Sequence, residues 1–170
     1  MGDDAETSAG RGIEIERKFL LPRPPREFAG APSERIEQGY LAISDDGVEV
    51  RVRRIGKRTV LTVKQGAGVR RLEEEIDIPA ATFDALWPLT EARRVEKERF
   101  HLDRDGRRID LDVYGGAHDG LVVAEIEFES DAASEQYDPP GWLGREVTGD
   151  ERYANRRLAL NGMPGGEGGR

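Results

Sequence analysis

The chain has no cysteine among its 170 residues. That excludes disulfides, thiolate nucleophiles and thiolate metal sites, and it suits a reducing cytosol. Histidine is nearly as scarce, with only His101 and His118, and a lone histidine more often fills a surface or packing role than a catalytic one. No apolar run approaches the roughly 20 residues that a membrane-spanning helix needs. The opening MGDDAETSAGRG is acidic and lacks the apolar core of a secretion signal, so a cytoplasmic protein is expected. Net charge is −8, which disfavours nucleic acid and anionic membranes as partners. Hydrophobic residues make up 36% and charged residues 35%, less apolar and more ionic than an ordinary soluble domain.

What the chain does have is alternation. In GIEIERKFLL, Glu14, Glu16 and Lys18 stand at spacing two, with Ile13, Ile15 and Phe19 filling most of the places between. Period two is the pattern of a half-buried strand. It recurs in EVRVRR (Arg51, Arg53), VLTVK (Lys64), RLEEEIDIP (Glu73, Glu75, Asp77), VEKERF (Lys97, Arg99), RIDLDVY (Asp110, Asp112) and AEIEFES (Glu125, Glu127). Strands are predicted over 12–20, 35–43, 47–54, 58–65, 70–78, 93–102, 107–114 and 121–130, separated by turn pairs such as Asp46-Gly47 and Asp105-Gly106. Helices are predicted over 79–86 and 132–137. A last helix is expected to be N-capped by Asp150 and to bury Tyr153, Leu158 and Leu160.

A sheet with one wet side would show mixed polar residues there, whereas these faces are almost purely ionic, and each strand tends to one sign. A closed sheet with its apolar side outward turns such faces into a charged lumen. Helices near 80–87 and 150–160 would then cover part of the exterior. Burying so many charges costs several kcal/mol each unless both signs are compensated, which a polyanion together with divalent cations would do. An outer-membrane barrel also has a polar interior, but the chain lacks the aromatic girdles and ends in a helix. The organisation expected is one domain over 12–160 with disordered tails at 1–11 and 161–170.

The motifs EIERK, QGYL, EVRVRR, LTVKQG, RRLEEEIDIP, EKERF, IDLDVY and GLVVAEIEFES occur in that order, and in this order they resemble the CYTH superfamily, the triphosphate tunnel metalloenzymes. The resemblance covers roughly residues 12–160. It implies a mainly β (α+β) fold, an eight-stranded antiparallel closed barrel with a charged lumen and a few flanking helices. It also implies metal-dependent hydrolysis of inorganic triphosphate or short polyphosphate. Thiamine triphosphatase, adenylate cyclase and a non-catalytic polyphosphate-binding module are the alternatives. The first would want aromatics at the tunnel mouth, and the second an adenine pocket, which the sequence does not display.

By the same resemblance, Glu14, Glu16, Lys18 and Arg145 are the catalytic candidates. Lys18, Arg51, Arg53, Lys64, Lys97, Arg99 and Arg145 would bind phosphate. Glu14, Glu16, Glu73, Glu75, Asp112, Glu125 and Glu127 would bind metal, with Asp110 at a further acidic position. Arg145 stands where relatives often carry lysine, so a flexible ammonium becomes a planar fork. Tyr40 is open to either a phosphate contact or packing. Carboxylates without histidine or cysteine suit Mg²⁺ or Mn²⁺. The expected partner is a small triphosphate or polyphosphate, and a homodimer is admissible for a protein of this size.

Overall fold

A computed structural model describes residues 15–65 and 72–165. Nine antiparallel strands form one sheet: β1 (Ile15–Leu21), β2 (Ser33–Ile43), β3 (Val48–Ile55), β4 (Arg58–Gln65), β5 (Leu72–Asp77), β6 (Arg94–Arg104), β7 (Arg107–Gly115), β8 (Val122–Phe128) and β9 (Arg145–Glu146). Three short helices accompany them: α1 (Ala80–Leu86), α2 (Asp131–Glu135) and α3 (Asn155–Asn161). The eight expected strands are all present within a few residues of their predicted bounds. The mainly β class is as expected.

The strand order is β5-β4-β3-β2-β6-β7-β8-β1-β9. Hairpins carry the chain from β2 to β5 and from β6 to β8, and the long-range ladders β2–β6 and β1–β8 join the two halves. The β6–β7 turn puts Asp105 (φ 52°) and Gly106 (φ 71°) in the left-handed region, the conformation that a tight two-residue hairpin needs. Closure differs from expectation. Among the described residues no ladder joins β5 to β9, so hydrogen bonding does not close the sheet.

The ladders settle which side chains share a face, because directly paired residues project to the same side. Glu16 pairs with Glu127 and Lys18 with Glu125, Arg99 with Asp112, and Arg51 with Thr62. The ionic positions therefore lie on one face, and the sheet curls enough that Thr62 and Asp112 on it have no solvent exposure. On the other face Phe19, Leu21, Ile109, Leu111, Ala124, Ile126 and Phe128 form a core with Phe28 and Leu143. A hollow of about 280 Å³ on that apolar side is lined by Pro24, Pro25, Arg26, Phe28, Phe100 and Leu111 and by none of the ionic-face residues.

The C-terminal segment corrects the expectation that it covers the exterior. Asp150 does cap, accepting from the Arg152 amide, but it caps a 3-10 turn (Glu151–Tyr153) rather than a long helix. From there α3 packs against β6 and β2 and clusters with Tyr40, Val95, Tyr114 and Val123. These residues continue the ionic face at one end, so the segment plugs that end. Leu158 is fully buried there, whereas Leu160, expected to be buried, is 43% exposed. The α1 helix lies on the opposite face, where Arg54 rests over the Phe83 ring at 4.3 Å.

Candidate active site

The ionic face has two groups of charges. The first spans β6, β7, β8 and β1 and centres on Asp112, which is fully buried. Arg99 grips it through two nitrogens, Nε to Oδ1 at 2.6 Å and Nη2 to Oδ2 at 2.7 Å, and Lys97 donates to Oδ2 as well. Arg99 also reaches Asp110 at 3.3 Å and Glu125 at 2.9 Å. Lys18 lies 3.0 Å from Glu125 and 3.6 Å from Glu16.

These contacts set the protonation states. Burial alone would raise the pKa of Asp112, but Lys97 and Arg99 outweigh it and hold the carboxyl below the ordinary range. Lys97 goes the other way. Its near-complete burial, which Asp112 offsets only in part, pushes the ammonium pKa below that of an ordinary lysine. Lys18 loses to burial but gains more from Glu125 and Glu16, and its pKa rises.

The second group spans β3, β4 and β5. Glu73 bridges Arg51 (Nη2, 3.0 Å) and Lys64 (3.2 Å). Glu75 takes Nη2 of Arg53 on one oxygen and Arg58 at 3.0 Å on the other. Burial pushes the Glu73 pKa up, but Lys64 and Arg51 outweigh it and the net shift is downward. Arg51 and Arg53 each reach their glutamate through Nη2, and Arg51 also interacts with the Tyr40 hydroxyl. Their Nε atoms are buried and have no hydrogen-bond partner among the described residues. A buried, unpaired guanidinium N–H is costly, and a phosphate oxygen is the natural acceptor for it.

The structure thus brings Lys18, Arg51, Arg53, Lys64, Lys97 and Arg99 to one face, with Glu16, Glu73, Glu75, Asp110, Asp112, Glu125 and Glu127 among them. Glu14 lies outside the described residues. Arg145 pairs with Leu20 at the sheet's end and donates to the Tyr153 hydroxyl at 3.2 Å, which puts it at the plugged end of the same face. The strand carrying it was absent from the sequence reading. It can add to β1 because Gly144 lets the backbones meet: a Cβ there would stand 2.0 Å from the Leu20 carbonyl oxygen. Tyr40 is buried in the plug cluster, its hydroxyl accepting from Gln38 at 2.8 Å.

Sequence reasoning missed Arg58, Glu34 and His101. Arg58 shares its strand face with Val60, Thr62 and Lys64, so extending the alternation by one pair would have found it. His101 lies between Asp110 (2.7 Å) and Glu34 (3.2 Å) on the ionic face, a placement that only the β2–β6 and β6–β7 ladders create. His118 keeps the packing role expected, with Nε2 2.8 Å from the Leu158 carbonyl oxygen. Both tryptophans pack: Trp87 stacks on Phe83 at 5.2 Å and Trp142 meets Phe28 edge-on at 5.9 Å.

Among the described residues, no three acidic or imidazole side chains converge as a ready metal cage. The carboxylates differ in what they could do. Asp112 is saturated by two cations and closed to solvent. Glu16 and Glu127 instead stand directly opposite one another on β1 and β8. Like charges in that relation repel, and a hard divalent cation between them would relieve the repulsion.

Comparison with known proteins places this geometry. The CYTH domain family matches residues 12–153. The inorganic triphosphatase of Nitrosomonas europaea is 43% identical over 150 residues, 87% of this chain and 97% of the relative. That of Acetivibrio thermocellus is 37% identical over 152 residues, 88% and 95% respectively. A crystal structure of an inorganic triphosphatase, 40% identical, superimposes with a TM-score of 0.75 over 90% of this chain and 98% of the other.

Proposed function

The chain belongs to the CYTH domain family, and from that premise we propose that it is a metal-dependent triphosphatase. It would hydrolyse inorganic triphosphate, or short polyphosphate, on its ionic face. The observation that carries this reading is the pair of buried Nε donors on Arg51 and Arg53, which no group among the described residues accepts from. The naming of two relatives as inorganic triphosphatases supports the same reading.

Phosphoryl transfer asks a protein for positioning and charge stabilisation rather than covalent chemistry. Lys97 and Arg99 are already fixed by Asp112, so they meet the charge that develops in the transition state without reorganising. Arg51, Arg53 and Lys64 take the phosphate chain from the opposite side. Lys18, held by Glu125, contributes a compact positive charge near the open end. Arg145, tied to Tyr153, faces the phosphate at the plugged end.

Glu16 and Glu127 fit a divalent cation, with Glu14 as a further ligand by its spacing. Two or three carboxylates plus substrate oxygens suit Mg²⁺ or Mn²⁺, which keep several waters. When bound, the ion neutralises phosphate charge and makes a coordinated water more acidic. Glu125 is committed to Lys18 and Arg99, so its part is to orient those cations.

The test is phosphate release from inorganic triphosphate, ATP, thiamine triphosphate and long polyphosphate, each with Mg²⁺ and with Mn²⁺. Turnover of inorganic triphosphate well above the others is expected. Preference for ATP or thiamine triphosphate would overturn the assignment.

A further inference from the structure

Among the carboxylates of the face that bridge two cations, Glu73 and Glu75 are the most exposed. Each bridges two cations, as a phosphate oxygen pair would: Glu73 between Arg51 and Lys64, Glu75 between Arg53 and Arg58. Both hold their arginine through Nη2 alone, leaving Nε unsatisfied. The contrast with Asp112 is sharp. Asp112 takes Arg99 in a two-pronged grip with no side-chain exposure, whereas the Glu73 and Glu75 side chains are 38% and 26% exposed.

The backbone beneath them differs too. β7, which carries Asp112, is paired on both sides. Among the described residues β5 pairs only with β4 and ends the sheet, and an edge strand with solvated contacts opens at lower cost than a central one.

We propose that Glu73 and Glu75 are exchangeable competitors for the phosphate clamp. They occupy Arg51, Arg53 and Lys64 until a triphosphate displaces them, and they return when the product leaves. This rests on the triphosphatase reading and assigns these two residues a role within it. Phosphate oxygens can take both Nη2 and Nε of each guanidinium, which a single-pronged carboxylate does not, so an intact triphosphate wins the exchange. Hydrolysis adds water across one phosphoanhydride bond and leaves pyrophosphate and orthophosphate. Each product has fewer phosphoryl groups to spread over the clamp, so the carboxylates compete better against products than against substrate. A metal-binding role for the pair is disfavoured where they stand, because a divalent cation there would sit among Arg51, Arg53, Arg58 and Lys64.

The experiment uses the full chain and the variants Glu73→Gln, Glu75→Gln and, as control, Glu74→Gln, which projects to the opposite face beside Val63. Steady-state hydrolysis of inorganic triphosphate gives KM, and pyrophosphate added as inhibitor gives Ki. Calorimetric titration of tripolyphosphate without metal gives affinity independently of turnover, and circular dichroism verifies folding. Glu73→Gln and Glu75→Gln are expected to lower KM and pyrophosphate Ki by about 3- to 10-fold and to tighten tripolyphosphate binding equally, the range for removing one partly exposed charged partner. Glu74→Gln should change none of these. Unchanged or weaker binding in both site variants, or activity lost and regained with excess Mg²⁺, overturns the proposal. A parent chain that does not hydrolyse triphosphate would instead overturn the triphosphatase reading, and the titration would still decide whether these carboxylates compete with polyphosphate.

Discussion

Arg99 holds Asp112 through Nε and Nη2 at 2.6 and 2.7 Å, on a carboxylate with no solvent exposure. With Lys97 on the same oxygen as Nη2, this is the fixed point of the ionic face, and the energetics of the site follow from it.

Asp112→Asn would leave Lys97, almost fully buried, without its anion. Breaking a buried pair by removing one partner costs about 3–5 kcal/mol. Urea denaturation at pH 7 is expected to show a loss of that size. A loss under about 1 kcal/mol would mean that Lys97 finds another partner or solvent.

Asp112 and Glu73 both have folded-state pKa values below their ordinary ones, despite burial, because of Lys97 and Arg99 in one case and Lys64 and Arg51 in the other. Groups of this sign add stability that is complete above their unfolded values, about 4. It is lost as pH falls through the lower folded values. Lys18 has the opposite sign and is raised, so its contribution is complete below about pH 10.4 and lost only above it. Unfolding free energy should therefore fall as pH drops below about 4, with a shallower fall in Glu73→Gln. Parallel slopes for the two proteins between pH 2 and 5 would contradict the assigned shift.

The guanidinium fork of Arg51 matters as well as its charge. Arg51→Ala should lower kcat/KM for inorganic triphosphate by about 30- to 1000-fold, the range for one preorganised donor. Arg51→Lys keeps the charge but removes the buried Nε, and it should recover only part of that loss. Arg26→Ala, on an exposed 3-10 turn, is the control and should fall within about twofold of the parent.

Glu16→Gln removes one of two opposed carboxylates. Activity should fall sharply, while stability without metal changes little, because relief of the repulsion with Glu127 offsets the lost attraction to Lys18. Thermal unfolding with and without Mg²⁺ checks this: the parent should gain more stability from the ion than the variant does. Equal gains would rule out Glu16 as a ligand.

Gly144→Ala would drive a Cβ against the Leu20 carbonyl oxygen and push β9 off β1. A destabilisation of more than about 1 kcal/mol is expected, together with a weaker hold on Arg145. Parent-like stability and activity would show that β9 tolerates the shift.

The alternating runs by themselves determined the strands and the membership of each face. Side-chain period two is a local property, so Glu16 and Lys18, Arg51 and Arg53, or Asp110 and Asp112 are bound to share a side wherever their strands end up. The ordered motifs likewise carried the family. The tertiary structure decided which faces meet. The β2–β6 and β1–β8 ladders join residues 55–67 and 101–113 positions apart, and only they bring Glu34 to His101 or Lys18 to Glu125. Burial was decided at the same level. Asp112 and Glu73 look alike as acidic residues in alternating strands. One lies in a strand paired on both sides and is sealed from water, the other lies in the last strand of the described sheet and is 38% exposed. The amphipathic pattern of α3 says only that one side must be buried. Its seat on the ionic face rather than the apolar one is set by the inner-face cluster of Tyr40, Val95, Tyr114 and Val123, which is assembled from four strands and is visible in none of them alone.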